Sequence, residues 1–206
     1  MVSAKRLHKG FTIIFMKINI PNSLTLLRII LIPIFVVFFY LETSWANIAA
    51  TFVFWLAAVT DYFDGYLARK LNQTSAFGAF LDPVADKLTV AVALILLIDQ
   101  NPTPYAGFWM SLAAMIIIGR EITISALREW MAEIGARSSV AVSIIGKIKT
   151  TSQMMAILFL IYAEPFFGLP SIQIGFVLLY LSVILTLWSM VDYLLAAWPK
   201  LMHEDT

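Results

Sequence analysis

The stretch from Ala46 to Gln100, ANIAATFVFWLAAVTDYFDGYLARKLNQTSAFGAFLDPVADKLTVAVALILLIDQ, decides the fold. Two apolar runs, Ala46 to Ala68 and Pro83 to Ile98, flank a short polar break from Lys70 to Ala79. Each run reads as a helix crossing a hydrocarbon layer of about 30 Å, which takes roughly 20 residues. Outward from this pair the same alternation recurs. Further spans are expected at Leu24 to Leu41, at Tyr105 to Ile118 with a helical extension towards Glu133, at Val140 to Ala163 and at Ile172 to Ala197. The composition agrees, with 61% hydrophobic and 13% charged residues among 206, against about 45–50% and about 25% in a soluble domain. The chain reads as an all-α integral membrane protein of about six transmembrane helices.

Charge placement orients it. If the N-terminus lies on the inner side, the outer turns fall near Glu42 to Trp45, Asp99 to Tyr105 and Ala163 to Pro170, and none holds Lys or Arg. All 14 cationic residues then lie on the inner face or in the inner half of a helix, the bias that marks the cytoplasmic side. Zero cysteines exclude disulfides and thiol catalysis. The net charge of +1 identifies no partner, and no nucleic-acid partner is expected. Residues 1–20, with Lys5, Arg6, His8 and Lys9 before Phe11 to Phe15, read as a basic, membrane-surface, amphipathic lead-in. No small-residue cleavage site follows to make them a signal peptide, and Met16 offers an alternative natural start. Residues 21–200 form one membrane domain and 201–206 a polar tail.

Four carboxylates interrupt the central pair of spans. Ionisable residues at the bilayer centre cost about 2.5–3.5 kcal/mol each on insertion scales, so a cluster of them marks function. Asp61 and Asp64 are three apart near the inner end of one helix, with Gly65 and Ala68 completing the same face. Asp82 and Asp86 are four apart at the start of the next. The Asp82-Pro83 pair also has the form of a helix start, with Asp as N-cap, but capping needs one carboxylate and accounts poorly for four. A short inner loop can bring both pairs together, and their repulsion then calls for cations. All-oxygen ligation without His or Cys points to hard ions, Mg²⁺ or Mn²⁺, and two helices of carboxylates suit two divalent cations about 3.5–4 Å apart. Gly65 and Ala68 leave a bare helix face for a phosphate or a flat base, and Arg69 can clamp a phosphate oxygen.

Written out, Asp61-Tyr62-Phe63-Asp64-Gly65-Tyr66-Leu67-Ala68-Arg69, eight residues to Gly78, three to Asp82 and three to Asp86, this resembles the CDP-alcohol phosphotransferase signature D-x2-D-G-x2-A-R-x8-G-x3-D-x3-D at every specified position. The resemblance implies six transmembrane helices, usually in a homodimer, with the active site in a cleft open to the cytoplasmic leaflet. It implies metal ligation by Asp61, Asp64 and Asp82, and by Asp86 as a general base that also touches metal. The donor CDP-diacylglycerol would be held by Gly65, Ala68, Arg69 and Ser75, and by an Asn-x-x-Thr element matched at Asn22 and Thr25.

The signature leaves the acceptor alcohol open. The stretch Arg120 to Thr151, REITISALREWMAEIGARSSVAVSIIGKIKTT, gathers Arg120, Arg128, Arg137, Lys147 and Lys149 near the inner face, as an acceptor with its own phosphate requires. This stretch resembles the bacterial branch of the family that uses glycerol 3-phosphate, which implies a bacterial inner-membrane location. Arg120, Arg137 and Lys147 are the first choices for the acceptor phosphate, with Arg28 and Lys149 second. Serine, inositol phosphate or phosphatidylglycerol are the alternative acceptors. A cation or proton transporter is the reading outside this chemistry, and it accounts for the buried acids but not for Gly65, Ala68, Arg69 and Gly78 at their spacings.

Overall fold

The computed structural model describes residues 20–71, 76–135 and 144–201. These form six helices: α1 (Ile20–Tyr40), α2 (Ala46–Leu71), α3 (Ala76–Gln100), α4 (Gly107–Glu133), α5 (Ile144–Tyr162) and α6 (Ser171–Leu201). The expected lead-in of residues 1–19, the tail beyond Leu201, Ser75 and Arg137 lie outside the described residues. Among the described residues three helices, α1 from Asn22, α4 and α6 to Pro199, are long and apolar enough to cross a membrane, and α2 adds a shorter apolar stretch from Ala46 to Asp61. The chain alternates direction through all six. One end of the bundle therefore holds the start of α1, the end of α2, the start of α3, the end of α4, the start of α5 and the end of α6; the charge pattern of the sequence reads this as the inner end.

Several boundaries differ from the sequence reading, two of them at helix starts beside the candidate site residues. α1 starts at Ile20 rather than Leu24, and α3 starts at Ala76, seven residues before Pro83. Asp82 is therefore no N-cap. Pro83 sits inside the helix, where its ring deprives the carbonyl of Ala79 of an intrahelical donor. The proline read as a start signal thus follows seven residues that are already helical. The predicted extension of the fourth span to Glu133 is present as one unbroken helix.

Packing at the outer half builds the main core. Leu31 and Phe35 of α1, Ala50, Phe54 and Ala57 of α2, Leu94 and Leu97 of α3, Met110 and Ile117 of α4, Ile157 and Leu160 of α5 and Leu179 of α6 are buried together. A smaller cluster of Ile124, Met131, Tyr193 and Ala197 joins α4 to α6 nearer the inner end. The outward faces carry Phe52, Trp55, Met115, Val177, Ile184, Trp188 and Leu195, as helix surfaces that meet acyl chains do. Trp45, Trp109 and Trp198, expected in the interfacial belts, are exposed near helix ends.

On α6 the buried positions Ser182, Thr186, Ser189, Tyr193 and Ala197 recur every three or four residues, a single stripe down one side of the helix. Close contact between α5 and α6 depends on Gly175. A methyl there would lie 2.9 Å from Leu160 Cγ, 3.1 Å from the Ala156 carbonyl oxygen and 3.1 Å from Phe159 Cβ. Small residues matter at such crossings because lipid supplies no hydrophobic force to press helices together and van der Waals contact must hold them. Gly175→Val is expected to cost about 1–3 kcal/mol through overpacking, read as a lower unfolding temperature of the purified protein in detergent.

Candidate active site

A cavity of roughly 680 Å³ opens between α1, α2, α3, α4 and α5, and its lining includes Arg28, Asp61, Asp86, Glu121, Lys149 and Gln153. Its polar groups lie in the inner half of the bundle, below the apolar core. The α2 and α3 carboxylates reach it by helical geometry: Asp61 lies in the third turn from the inner end of α2 and Asp86 in the third turn of α3.

One cation ties them together. Arg28 of α1 is almost fully buried, and its Nη1 lies 2.9 Å from Asp61 Oδ1 and also donates to Asp86 Oδ1. Two carboxylates from different helices thus converge on the same positive point, each side chain about half exposed towards the cavity. One turn before Asp86, Asp82 Oδ1 accepts a 2.5 Å hydrogen bond from Thr25 Oγ1 of α1. Asn22, one turn below Thr25, is also buried. The Asn-x-x-Thr element and Arg28 therefore form one face of α1, turned towards the acidic edges of α2 and α3.

Asp64, Gly65, Ala68 and Arg69 continue α2 as helix, and their side chains lie outside those described. Among the described residues no group of three or more His, Cys, Asp or Glu makes a metal cage. The donor set still fits hard divalent cations. Asp61 and Asp86 already converge on a single positive charge, Asp82 stands one turn away, and every available atom is a carboxylate oxygen.

A second charged group flanks the cavity. Glu121 Oε1 of α4 accepts from Lys149 Nζ of α5 at 2.5 Å and from Arg120 Nη1 at 2.9 Å. Arg120 Nη2 donates to Ser189 Oγ of α6 at 2.8 Å, and Arg128 Nη2 donates to the Tyr193 hydroxyl at 2.6 Å. Both guanidinium groups lie over the Tyr193 ring, at 5.7 and 5.0 Å from its centroid, within the range of cation–π attraction.

The cations expected at the acceptor phosphate separate on this geometry. Lys149 and Arg28 line the cavity. Arg120 stands one contact behind it through Glu121, whereas Lys147 is exposed on a different side of α5. Two residues along a helix turn through about 200°, and of this pair only Lys149 is in the cavity lining. Glu121 and Gln153 were not among the sequence candidates. Glu121 lies beside Arg120 in a mixed-charge stretch and reads as an ordinary surface acid, and a neutral amide gives no signal in an apolar span.

Comparison with known proteins agrees with this architecture. A family model described as CDP-alcohol phosphatidyltransferase matches residues 18–188. The CDP-diacylglycerol–glycerol-3-phosphate 3-phosphatidyltransferase of Shigella flexneri serotype 5b (strain 8401) is 52% identical over 192 residues, covering 92% of this chain and 100% of that protein. The protein of the same name from Escherichia coli (strain K12) is likewise 52% identical over 192 residues, with the same coverage.

Proposed function

The chain belongs to the CDP-alcohol phosphatidyltransferase family, and from that premise we propose that it transfers the phosphatidyl group of CDP-diacylglycerol to glycerol 3-phosphate, giving phosphatidylglycerophosphate and CMP. The observation that carries the reading is the convergence of Asp61 and Asp86 on one cationic centre, in a cavity that Lys149 and Glu121 flank. Identity of 52% along the whole length of relatives named for this reaction supports the choice of acceptor.

In this mechanism the donor's cytidine diphosphate lies along α2, held by Gly65, Ala68, Arg69 and Ser75 with Asn22 and Thr25 opposite. Asp61, Asp64, Asp82 and Asp86 would hold two divalent cations, Mg²⁺ or Mn²⁺, whose charge would offset the negative charge that develops on the phosphoryl oxygens. Asp86 takes the proton of the acceptor hydroxyl as that oxygen bonds to the lipid-bearing phosphorus. The bond from that phosphorus to the bridging oxygen breaks, and CMP departs with its electron pair. Lys149, with Arg120, Arg137, Lys147 and Arg28 as further candidates, draws the acceptor phosphate in and fixes its hydroxyl in line. Glu121 holds the Lys149 ammonium in place before the acceptor arrives. The enzyme is read as a homodimer in the bacterial inner membrane with this cavity open to the cytoplasm, as the resemblance and the distribution of positive charge support.

The test is CMP release by the purified protein from CDP-diacylglycerol with Mg²⁺ or Mn²⁺, adding glycerol 3-phosphate, serine or inositol phosphate in turn beside a chelator control. Release that requires both metal and glycerol 3-phosphate is the expected result. Metal-dependent release with a different acceptor would overturn the reading of the cationic side, and no release with any alcohol would return the transporter reading.

A further inference from the structure

Gln153 lines the same cavity from α5, one turn beyond Lys149 on the same helix face. Its side chain is 3% exposed, and its buried amide oxygen has no hydrogen-bond partner among the described residues. Buried carbonyl oxygens are nearly always paired, and one left unpaired against a cavity calls for a donor from whatever fills that cavity. The described donors of α3 and α5 in the cavity lining are directed elsewhere: the Thr89, Thr150 and Thr151 hydroxyls donate to the carbonyls of Ala85, Gly146 and Lys147, and the Lys149 ammonium donates to Glu121.

The chemistry of the reactants decides what the donor is. Around its lipid glycerol, CDP-diacylglycerol offers only ester and phosphate oxygens, which accept. Its own hydroxyls and amine belong to the cytidine part, placed along α2. The acceptor has two hydroxyl groups, of which only one attacks phosphorus and gives up its proton to Asp86. The other hydroxyl still carries a hydrogen to donate.

Resting on the function proposed above, we infer that Gln153 selects the acceptor by accepting a hydrogen bond from the hydroxyl that does not react. The ligand class is a phosphorylated vicinal diol. Its phosphate is held by Lys149, and its spectator hydroxyl sits one helical turn deeper on Gln153. A neutral amide suits this position, because a carboxylate there would repel the phosphate and a further cation would hold it in competition with Lys149.

The test compares glycerol 3-phosphate with 2-hydroxyethyl phosphate, which keeps the phosphate and an attacking hydroxyl but lacks the spectator. Wild-type protein is expected to prefer glycerol 3-phosphate in kcat/KM by at least about 100-fold, short of the roughly 10⁴-fold that a fully enclosed polar site achieves. Gln153→Met, close in shape without the amide, should reduce that preference to below about 10-fold by losing activity on glycerol 3-phosphate alone, with KM for CDP-diacylglycerol unchanged. Gln153→Glu retains an accepting oxygen and should retain most of the preference, with activity on both acceptors lowered alike by repulsion of their phosphates. An unchanged preference in Gln153→Met overturns the inference while leaving the proposed reaction standing. Wild-type protein that uses both acceptors equally overturns it without recourse to any variant. Wild-type protein inactive with glycerol 3-phosphate overturns the reaction and the inference together.

Discussion

Asp86→Asn is expected to bring metal-dependent CMP release down to background. The substitution keeps size and shape but removes the one group placed both to take the acceptor proton and to share a cationic centre with Asp61. Loss of a general base alone costs about 10²–10⁴-fold, and weakened metal ligation adds to it. Binding of labelled CDP-diacylglycerol in the presence of metal should be largely intact, since Gly65, Ala68, Arg69, Asn22 and Thr25, assigned to its cytidine diphosphate, lie on α2 and α1. A fully active Asp86→Asn protein would remove the base assignment.

Arg28→Met should destabilise the protein without metal far more than with it. Arg28 is buried, and its loss leaves Asp61 and Asp86 turned towards one another across a helix interface. Removing one partner of a buried ion pair costs about 3–5 kcal/mol, and hydration of the half-open carboxylates reduces this to about 2–3 kcal/mol. At about 2–4 °C per kcal/mol for a chain of this size, the unfolding temperature in chelator should fall by roughly 5–10 °C. Saturating Mg²⁺ or Mn²⁺ should recover most of that fall, because bound ions neutralise the same two carboxylates. Equal losses with chelator and with metal would reduce Arg28 to a packing role.

These two experiments probe a site whose parts were unequally visible in the sequence. Asp61, Asp82 and Asp86 stood out because a charge in an apolar helix is costly and so demands a reason. Arg28 was legible as a second choice for the acceptor phosphate, not as the partner of two acids. Its contact with two acids depends on how α1 is rotated against α2 and α3, and a linear pattern does not encode that rotation. Lys147 ranked above Lys149 as a charge for the acceptor phosphate, whereas the turn of α5 leaves Lys147 exposed and puts Lys149 in the cavity lining. The six helices followed from apolar length alone, while the start of α3 was missed because an Asp-Pro pair is a start signal that tertiary packing overrode. Gln153 became visible only through the surroundings of its oxygen.

The buried stripe on α6 bears on how such a bundle assembles. A helix this apolar finds its depth in the bilayer from its length, but lipid is the same on every side and sets no preference for its azimuth. Ser182, Thr186, Ser189 and Tyr193 break that symmetry, since turning them outwards would expose hydroxyls to hydrocarbon. They act as a keyway that admits the last helix in one angular setting. In that setting Ser189 meets Arg120, and the Tyr193 ring lies against the guanidinium groups of Arg120 and Arg128. The cationic wall is therefore indexed by a helix that contributes no charge to it.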